Sequence, residues 1–115
     1  MEEAAYAKLE GIDENSEPLK RYIKMERVVL GRNKKEPEAD YIALGACKAV
    51  SRKHAVLSWD RAAKRWAVDV LGKNGMTVDG VEVHANGRAS LKSVSALRLG
   101  SVQVYFSAAL PAQPE

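Results

Sequence analysis

Cysteine is nearly absent from this sequence: Cys47 stands alone among 115 residues. It has no partner for an internal disulfide or a Cys-x-x-Cys metal site. A reducing, intracellular compartment fits that usage best. Cys47 itself reads as a small buried filler rather than a nucleophile. Histidine is scarce too. His54 and His84 lie far apart with no ligand cluster around either, so no metal or other cofactor is expected. No apolar run reaches the roughly 18 residues that a membrane-spanning helix needs. The opening MEEAAYAKLE lacks the basic start and apolar core of a signal peptide. Aromatic residues make up only 6%, which leaves few platforms on which bases could stack. Charge of one sign is missing as well: 18 Lys and Arg face 15 Asp and Glu, a net of +3. That balance attracts an anionic partner weakly at long range. It does not suit direct nucleic-acid binding, and no membrane association is expected.

What is present is a folding chain of one-domain size. Hydrophobic residues at 46% supply a core. The main pattern is short alternating runs parted by turn residues, which signals strands. Trp66, Val68 and Val70 share one face of their run; Val102, Val104 and Phe106 share one face of theirs. Arg27–Leu30 and Tyr41–Leu44 are nearly all apolar and suit strands covered on both sides. Asp60–Lys64 reads as a hairpin loop, and Asp79-Gly80 as a tight hairpin turn whose residues need positive φ. Asn86-Gly87 reads as a second such turn. Lys34–Asp40 reads as a polar loop with Lys34 and Lys35 at a solvated tip, and Asp13–Pro18 as another loop.

About eleven strands are predicted, at 4–10, 19–24, 26–30, 41–44, 54–59, 65–71, 76–78, 81–84, 89–91, 96–99 and 102–107. The fold class that follows is all-β: an eleven-stranded β-sandwich of two twisted, mainly antiparallel sheets. Residues 1–110 form the domain and 111–115 a C-terminal linker. Residues 2–10 favour helix by propensity. Alternation favours a strand, with Ala5, Ala7 and Leu9 inward, and that reading is adopted.

In a sandwich, binding groups sit on loops at one end. Three loops carry unusual polar groups: Gly31-Arg32-Asn33, Ser51-Arg52-Lys53-His54 and Gly72-Lys73-Asn74-Gly75. An arginine fork matches phosphate oxygens, a serine adds a hydroxyl, a lysine adds a point charge, and an asparagine can grip a peptide backbone. A phosphothreonine carries about −1.5 to −2 charges and three strong acceptor oxygens. Arg32, Ser51, Arg52 and Lys73 together could satisfy it, leaving Asn74 free for the peptide main chain.

Gly31-Arg32, Ser51-x-x-His54 and Asn74-Gly75, in that order and at those spacings, resemble the three signature motifs of the forkhead-associated (FHA) domain. The resemblance runs from about Tyr6 to Ala109. Leu71-Gly72-Lys73-Asn74-Gly75-x-x-Val78-Asp79-Gly80 is most similar in feel to forkhead-box K-type and plant nuclear FHA proteins. It implies a phosphothreonine-peptide binding module that mediates phosphorylation-dependent protein–protein contacts in signalling. It also implies an intracellular, nuclear setting, no catalytic residue, and origin in a larger protein. Arg32 and Ser51 would bind phosphate with Arg52 beside them, and Asn74 would hold the peptide main chain. Lys73 departs from the Ser or Thr of many members. Gly31, His54 and Gly75 would support the site, His54 by bracing the loops from behind. Selectivity at the third residue after the phosphothreonine would depend on Ala49, Val50 and a Ser93-Val94-Ser95 loop, with a lean towards an apolar or unselective position there.

Rival readings are plainer. Ser51 with His54 could suggest a hydrolase pair, but no Gly-x-Ser-x-Gly elbow surrounds the serine. Trp59 and Trp66 read as cross-strand packing, and His84 as a surface residue. The alternative function is a phospho-independent interaction or dimerisation domain.

Overall fold

A computed structural model describes residues 5–35 and 38–108. These contain eleven strands and no helix. The strands are β1 (Ala7–Ile12), β2 (Pro18–Ile23), β3 (Arg27–Gly31), β4 (Tyr41–Ala43), β5 (Ala55–Asp60) and β6 (Arg65–Val70). They continue with β7 (Met76–Val78), β8 (Val81–Val83), β9 (Arg88–Ser90), β10 (Val94–Leu99) and β11 (Val102–Ala108). One sheet has the order β2-β1-β11-β10-β7-β8, the other β4-β3-β5-β6-β9. Every pairing is antiparallel except β3 with β4, which is parallel. The eleven-stranded sandwich read from alternation is therefore the fold. The linker expected at 111–115 lies outside the described residues. The first strand, expected at 4–10, is shifted: it runs Ala7–Ile12, and Ala5 and Tyr6 precede it outside any strand.

Period-two alternation creates the layers. In the first sheet, Leu9, Leu97, Leu99, Val102, Val104 and Phe106 point inward and are 2% exposed or less. In the second, Val28, Leu30, Leu57, Trp66 and Val68 meet them in one core. Trp59 and Trp66 sit opposite each other in the β5–β6 register, edge to face at 5.8 Å. Trp66 continues to Phe106 at 5.9 Å, so the cross-strand pair also joins the sheets. A smaller cluster of Val29, Tyr41 and Val56 covers the outer face of the second sheet. It explains why β3 and β4 read as apolar on both sides.

Turn chemistry sets the register. Asp79 (φ 51°) and Gly80 (φ 82°) form the expected two-residue turn between β7 and β8. The Asp79 carboxylate accepts the Ala96 N–H at 2.9 Å, while Ala96 O accepts the Asp79 N–H at 2.8 Å. These bonds tie the hairpin to β10, and the Ala96 N–H bond chiefly holds the carboxyl of Asp79 below its usual range. Asn86-Gly87 behaves differently from the expectation. Only Asn86 takes positive φ (70°), in a turn closed by Gly87 N–H to His84 O at 2.9 Å. β8 and β9 belong to different sheets, so this turn passes the chain between layers and makes no hairpin.

Candidate functional site

β3 delivers Gly31 to one end of the sandwich, and the loops after β3, β4 and β6 meet there. Arg32 N–H donates to Ser51 O at 3.1 Å, which joins the first loop to the second by backbone. Asn33 fastens the first loop to the end of β4: its N–H donates to Gly45 O at 2.7 Å, and its Oδ1 accepts Gly45 N–H at 3.1 Å. The Glu14 carboxylate, arriving from the β1–β2 loop, accepts Ala46 N–H at 3.0 Å.

His54 is the hub. It is fully buried. Nδ1 accepts Ser51 N–H at 3.0 Å, and Nε2 lies 2.7 Å from Gly75 O. An N–H facing Nδ1 requires a lone pair there, and a carbonyl facing Nε2 requires a proton there. The ring is therefore neutral and in the Nε2–H tautomer. Its backbone works as well: His54 O accepts Leu71 N–H at 2.8 Å and Gly72 N–H at 2.9 Å. A methyl on Gly72 would stand 2.3 Å from Nδ1, so only glycine lets the third loop close over the ring. Gly75 holds the turn at φ 66°. With both ring nitrogens engaged by backbone, His54 has none left to take a proton from the Ser51 hydroxyl. The hydrolase pair has no geometry. Among the described residues, no group of three His, Cys, Asp or Glu could hold a metal ion.

The structure thus brings together the loops of all the expected site residues: Arg32, Ser51, Arg52, Lys73 and Asn74, with Gly31, His54 and Gly75 beneath them. Arg32 and Ser51 are partly exposed, while Arg52, Lys73 and Asn74 are exposed. Among the described residues, no carboxylate pairs with Arg32, Arg52 or Lys73. Asn74 is not free as expected. Its Nδ2 donates to Ala49 O at 3.0 Å, linking the third loop to the second and leaving Oδ1 and one N–H available.

Other expectations are corrected. Ser93-Val94-Ser95 is no part of this end. Val94 opens β10 at the opposite end of the strand from the site, and Ser95 is buried, its Oγ accepting Lys92 N–H at 2.9 Å. Val50 is fully buried and presents no surface. The β10–β11 turn sits there instead: a methyl on Gly100 would lie 2.9 Å from the Ala49 Cβ and 3.1 Å from Cys47 Sγ. Cys47 is half-buried, not enclosed, because it lies on this loop. Lys34 is no solvated tip. It pairs with Glu38 at 2.5 Å and lies 4.3 Å from the centre of the Tyr41 ring.

Tyr41 was missed as a site residue. Its hydroxyl lies 2.5 Å from both Arg32 O and Arg52 O. The sequence carries part of the signal: a tyrosine inside a run otherwise apolar needs a partner for its hydroxyl, though the run does not say which. Burial holds that hydroxyl above its ordinary value of 10.0, partly offset by the nearby charge of Lys34, Arg32 and Arg52. A raised phenol contributes stability that is intact below the unfolded-state value and is lost as pH rises through the folded one. Urea unfolding between about pH 8 and 11 should therefore show wild type losing stability relative to Tyr41→Phe as pH climbs past about 10. Parallel pH curves for the two proteins would contradict this.

Residues 28–100 match the family model described as the FHA domain. The chain is 35% identical over 107 residues to FHA domain-containing protein FHA2 of Arabidopsis thaliana, covering 90% of this chain and 32% of that protein. It is 36% identical over 108 residues to Transcriptional activator FHA1 of Nicotiana tabacum, covering 90% of this chain and 49% of that one. The chain therefore spans about a third to a half of these relatives. In fold it is similar to the N-terminal FHA domain of Saccharomyces cerevisiae Rad53p, solved with a phosphothreonine peptide: TM-score 0.72, 16% identity, covering 90% of this chain and 94% of that one.

Proposed function

The chain belongs to the FHA domain family, and from that premise we propose that its loops after β3, β4 and β6 form a receptor for phosphothreonine-containing segments of partner proteins. One observation carries the reading. Three loops distant in sequence are bonded into one platform around His54, and they present Arg32, Arg52 and Lys73 with no carboxylate partner among the described residues. Uncompensated cations on a rigid backbone frame suit a doubly charged ester. In this reading Arg32 and Ser51 bind the phosphate, with Arg52 and Lys73 adding charge. Asn74, already anchored to Ala49 O, offers its remaining groups to the peptide backbone. The work is binding and not catalysis. The module spans residues 1–110, with 111–115 leading out of it. A nuclear, phosphorylation-dependent assembly is the setting we assign, supported by the tobacco relative's name as a transcriptional activator.

A phosphopeptide library screen followed by titration calorimetry tests this. Phosphothreonine peptides should bind, and the same peptides without phosphate should give no measurable heat. Phosphoserine versions should bind more weakly, by no more than the about 1–3 kcal/mol that one methyl can contribute. Equal binding with and without phosphate would transfer support to a second reading, a phospho-independent contact face. That reading rests on Tyr22, Val94 and Tyr105, which are 52%, 57% and 60% exposed on the outer face of the first sheet.

A further inference from the structure

The structure assigns Tyr41 a role beyond packing: we infer that it is the positioning residue that fixes the spacing of Arg32 and Arg52 for a phosphate ester. The inference rests on the phosphothreonine reading above and adds a residue outside its three motifs.

Tyr41 lies on β4, a short strand that pairs with β3 at the edge of the second sheet among the described residues. Its side chain runs up the outer face of the second sheet, packed with Val29 and Val56. There it places one hydroxyl between two loops, 2.5 Å from Arg32 O and 2.5 Å from Arg52 O. A phenol has a single proton, so it donates to one carbonyl at a time. The site's two arginines thus share one donor, and neither peptide can move away without losing it. The backbone bond from Arg32 N–H to Ser51 O lies beside the same junction. Gly31 makes room: a methyl there would stand 2.3 Å from the Tyr41 hydroxyl and 2.0 Å from Arg52 O. The ring is held in turn. Lys34 covers its face at 4.3 Å and is pinned by Glu38. This accounts for a lysine that the loop's composition assigned to solvent.

The arginine side chains carry the charge, but their reach is set where their backbones are fixed. A phosphate has three acceptor oxygens within a small sphere, so two forks must approach from fixed directions to engage it together. Removing the hydroxyl frees both carbonyls, loosens that spacing and leaves both charges in place. Binding should then weaken through lost preorganisation.

The test is a double-mutant cycle read by titration calorimetry with one phosphothreonine peptide from the screen, well below the unfolding temperature of every variant. Circular dichroism first confirms that each is folded. Tyr41→Phe alone should weaken binding by about 5- to 20-fold, and in an Arg32→Lys background by about twofold or less, since a flexible amine needs no fixed direction. An unchanged Kd for Tyr41→Phe would overturn the inference. So would the same fold-loss in both backgrounds, which would mean that Tyr41 acts independently of Arg32. If wild type itself bound the peptide equally with and without phosphate, the functional reading would fail, and this inference with it. Phospho-specific wild type with an unaffected Tyr41→Phe would remove the inference alone.

Discussion

Arg32→Ala is expected to weaken phosphothreonine-peptide binding by about 10- to 150-fold, the equivalent of one charge-assisted hydrogen-bond set worth about 1.5–3 kcal/mol. The expectation follows from where Arg32 stands. Its N–H and C=O are both held, the first by Ser51 O at 3.1 Å and the second by the Tyr41 hydroxyl at 2.5 Å. The guanidinium therefore extends from a fixed backbone, and only side-chain rotamer freedom is lost when it binds. No carboxylate among the described residues competes for it, so a phosphate need not displace an existing ion pair. Truncation should change stability little, because the side chain is partly exposed and makes no hydrogen bond or ion pair with the described residues. Arg32→Lys should keep the charge and lose the planar fork, giving a smaller drop than alanine. Raising salt should weaken wild type more than Arg32→Ala, since the variant has one cation fewer to screen. Titration calorimetry at two salt concentrations reads both effects. Equal affinities for wild type and Arg32→Ala would remove Arg32 from the site.

The fold was readable because β-structure writes its layers into alternate residues. Val102, Val104 and Phe106, or Trp66 and Val68, declare an inward face without any tertiary information. The strand count follows from that rhythm and from Asp79-Gly80, and so do the boundaries to within one residue, except at both ends of β1 and at the start of β10. Asn86-Gly87 misled because a dipeptide reports positive φ and not which strands it joins. The choice between hairpin and layer crossing was made by pairing far away, where β9 joins β6. Ser93–Ser95 misled for a related reason. A short polar run looks like a loop, but Ser95 is buried and its hydroxyl is satisfied locally by Lys92 N–H. The candidate site residues stand in motifs legible in the sequence, and the loops that carry them converge. What ties them together was not legible: Tyr41, Lys34, Asn33 and Glu14 act through contacts that span sequence separations no periodicity can reveal. Asn74 shows the boundary well. Its place in the loop was evident, but its bond to Ala49 O depends on how two distant loops pack.

His54→Ala is expected to cost the fold heavily. The ring is fully buried and satisfies Ser51 N–H through Nδ1 and Gly75 O through Nε2. Alanine leaves both backbone groups without a partner and opens a cavity where the ring stood. An unpaired buried group costs about 1–3 kcal/mol, so the pair and the lost packing together should remove roughly 3–5 kcal/mol. A domain of this size has about 5–15 kcal/mol in total, so the variant should be marginal at 37 °C. His54→Asn should recover part of this, because its amide oxygen can accept Ser51 N–H in place of Nδ1, while its shorter amide NH2 does not reach Gly75 O as Nε2–H does. Gly72 supplies the sharper check. In wild type, Gly72→Ala forces a methyl to 2.3 Å from Nδ1 and should destabilise strongly. With the ring gone, the same methyl enters vacated space. The two substitutions should therefore be markedly non-additive, the double variant being more stable than the sum of the single losses predicts. Urea unfolding of the four proteins, with unchanged m-values as the condition for comparison, measures this coupling. A loss under about 1 kcal/mol for His54→Ala, or simple additivity with Gly72→Ala, would mean that the loops are joined by something other than this imidazole. The same frame holds Ser51 against Arg32 and Gly75 beneath Asn74, so partial loss of the hub should also cost affinity in any variant that still folds.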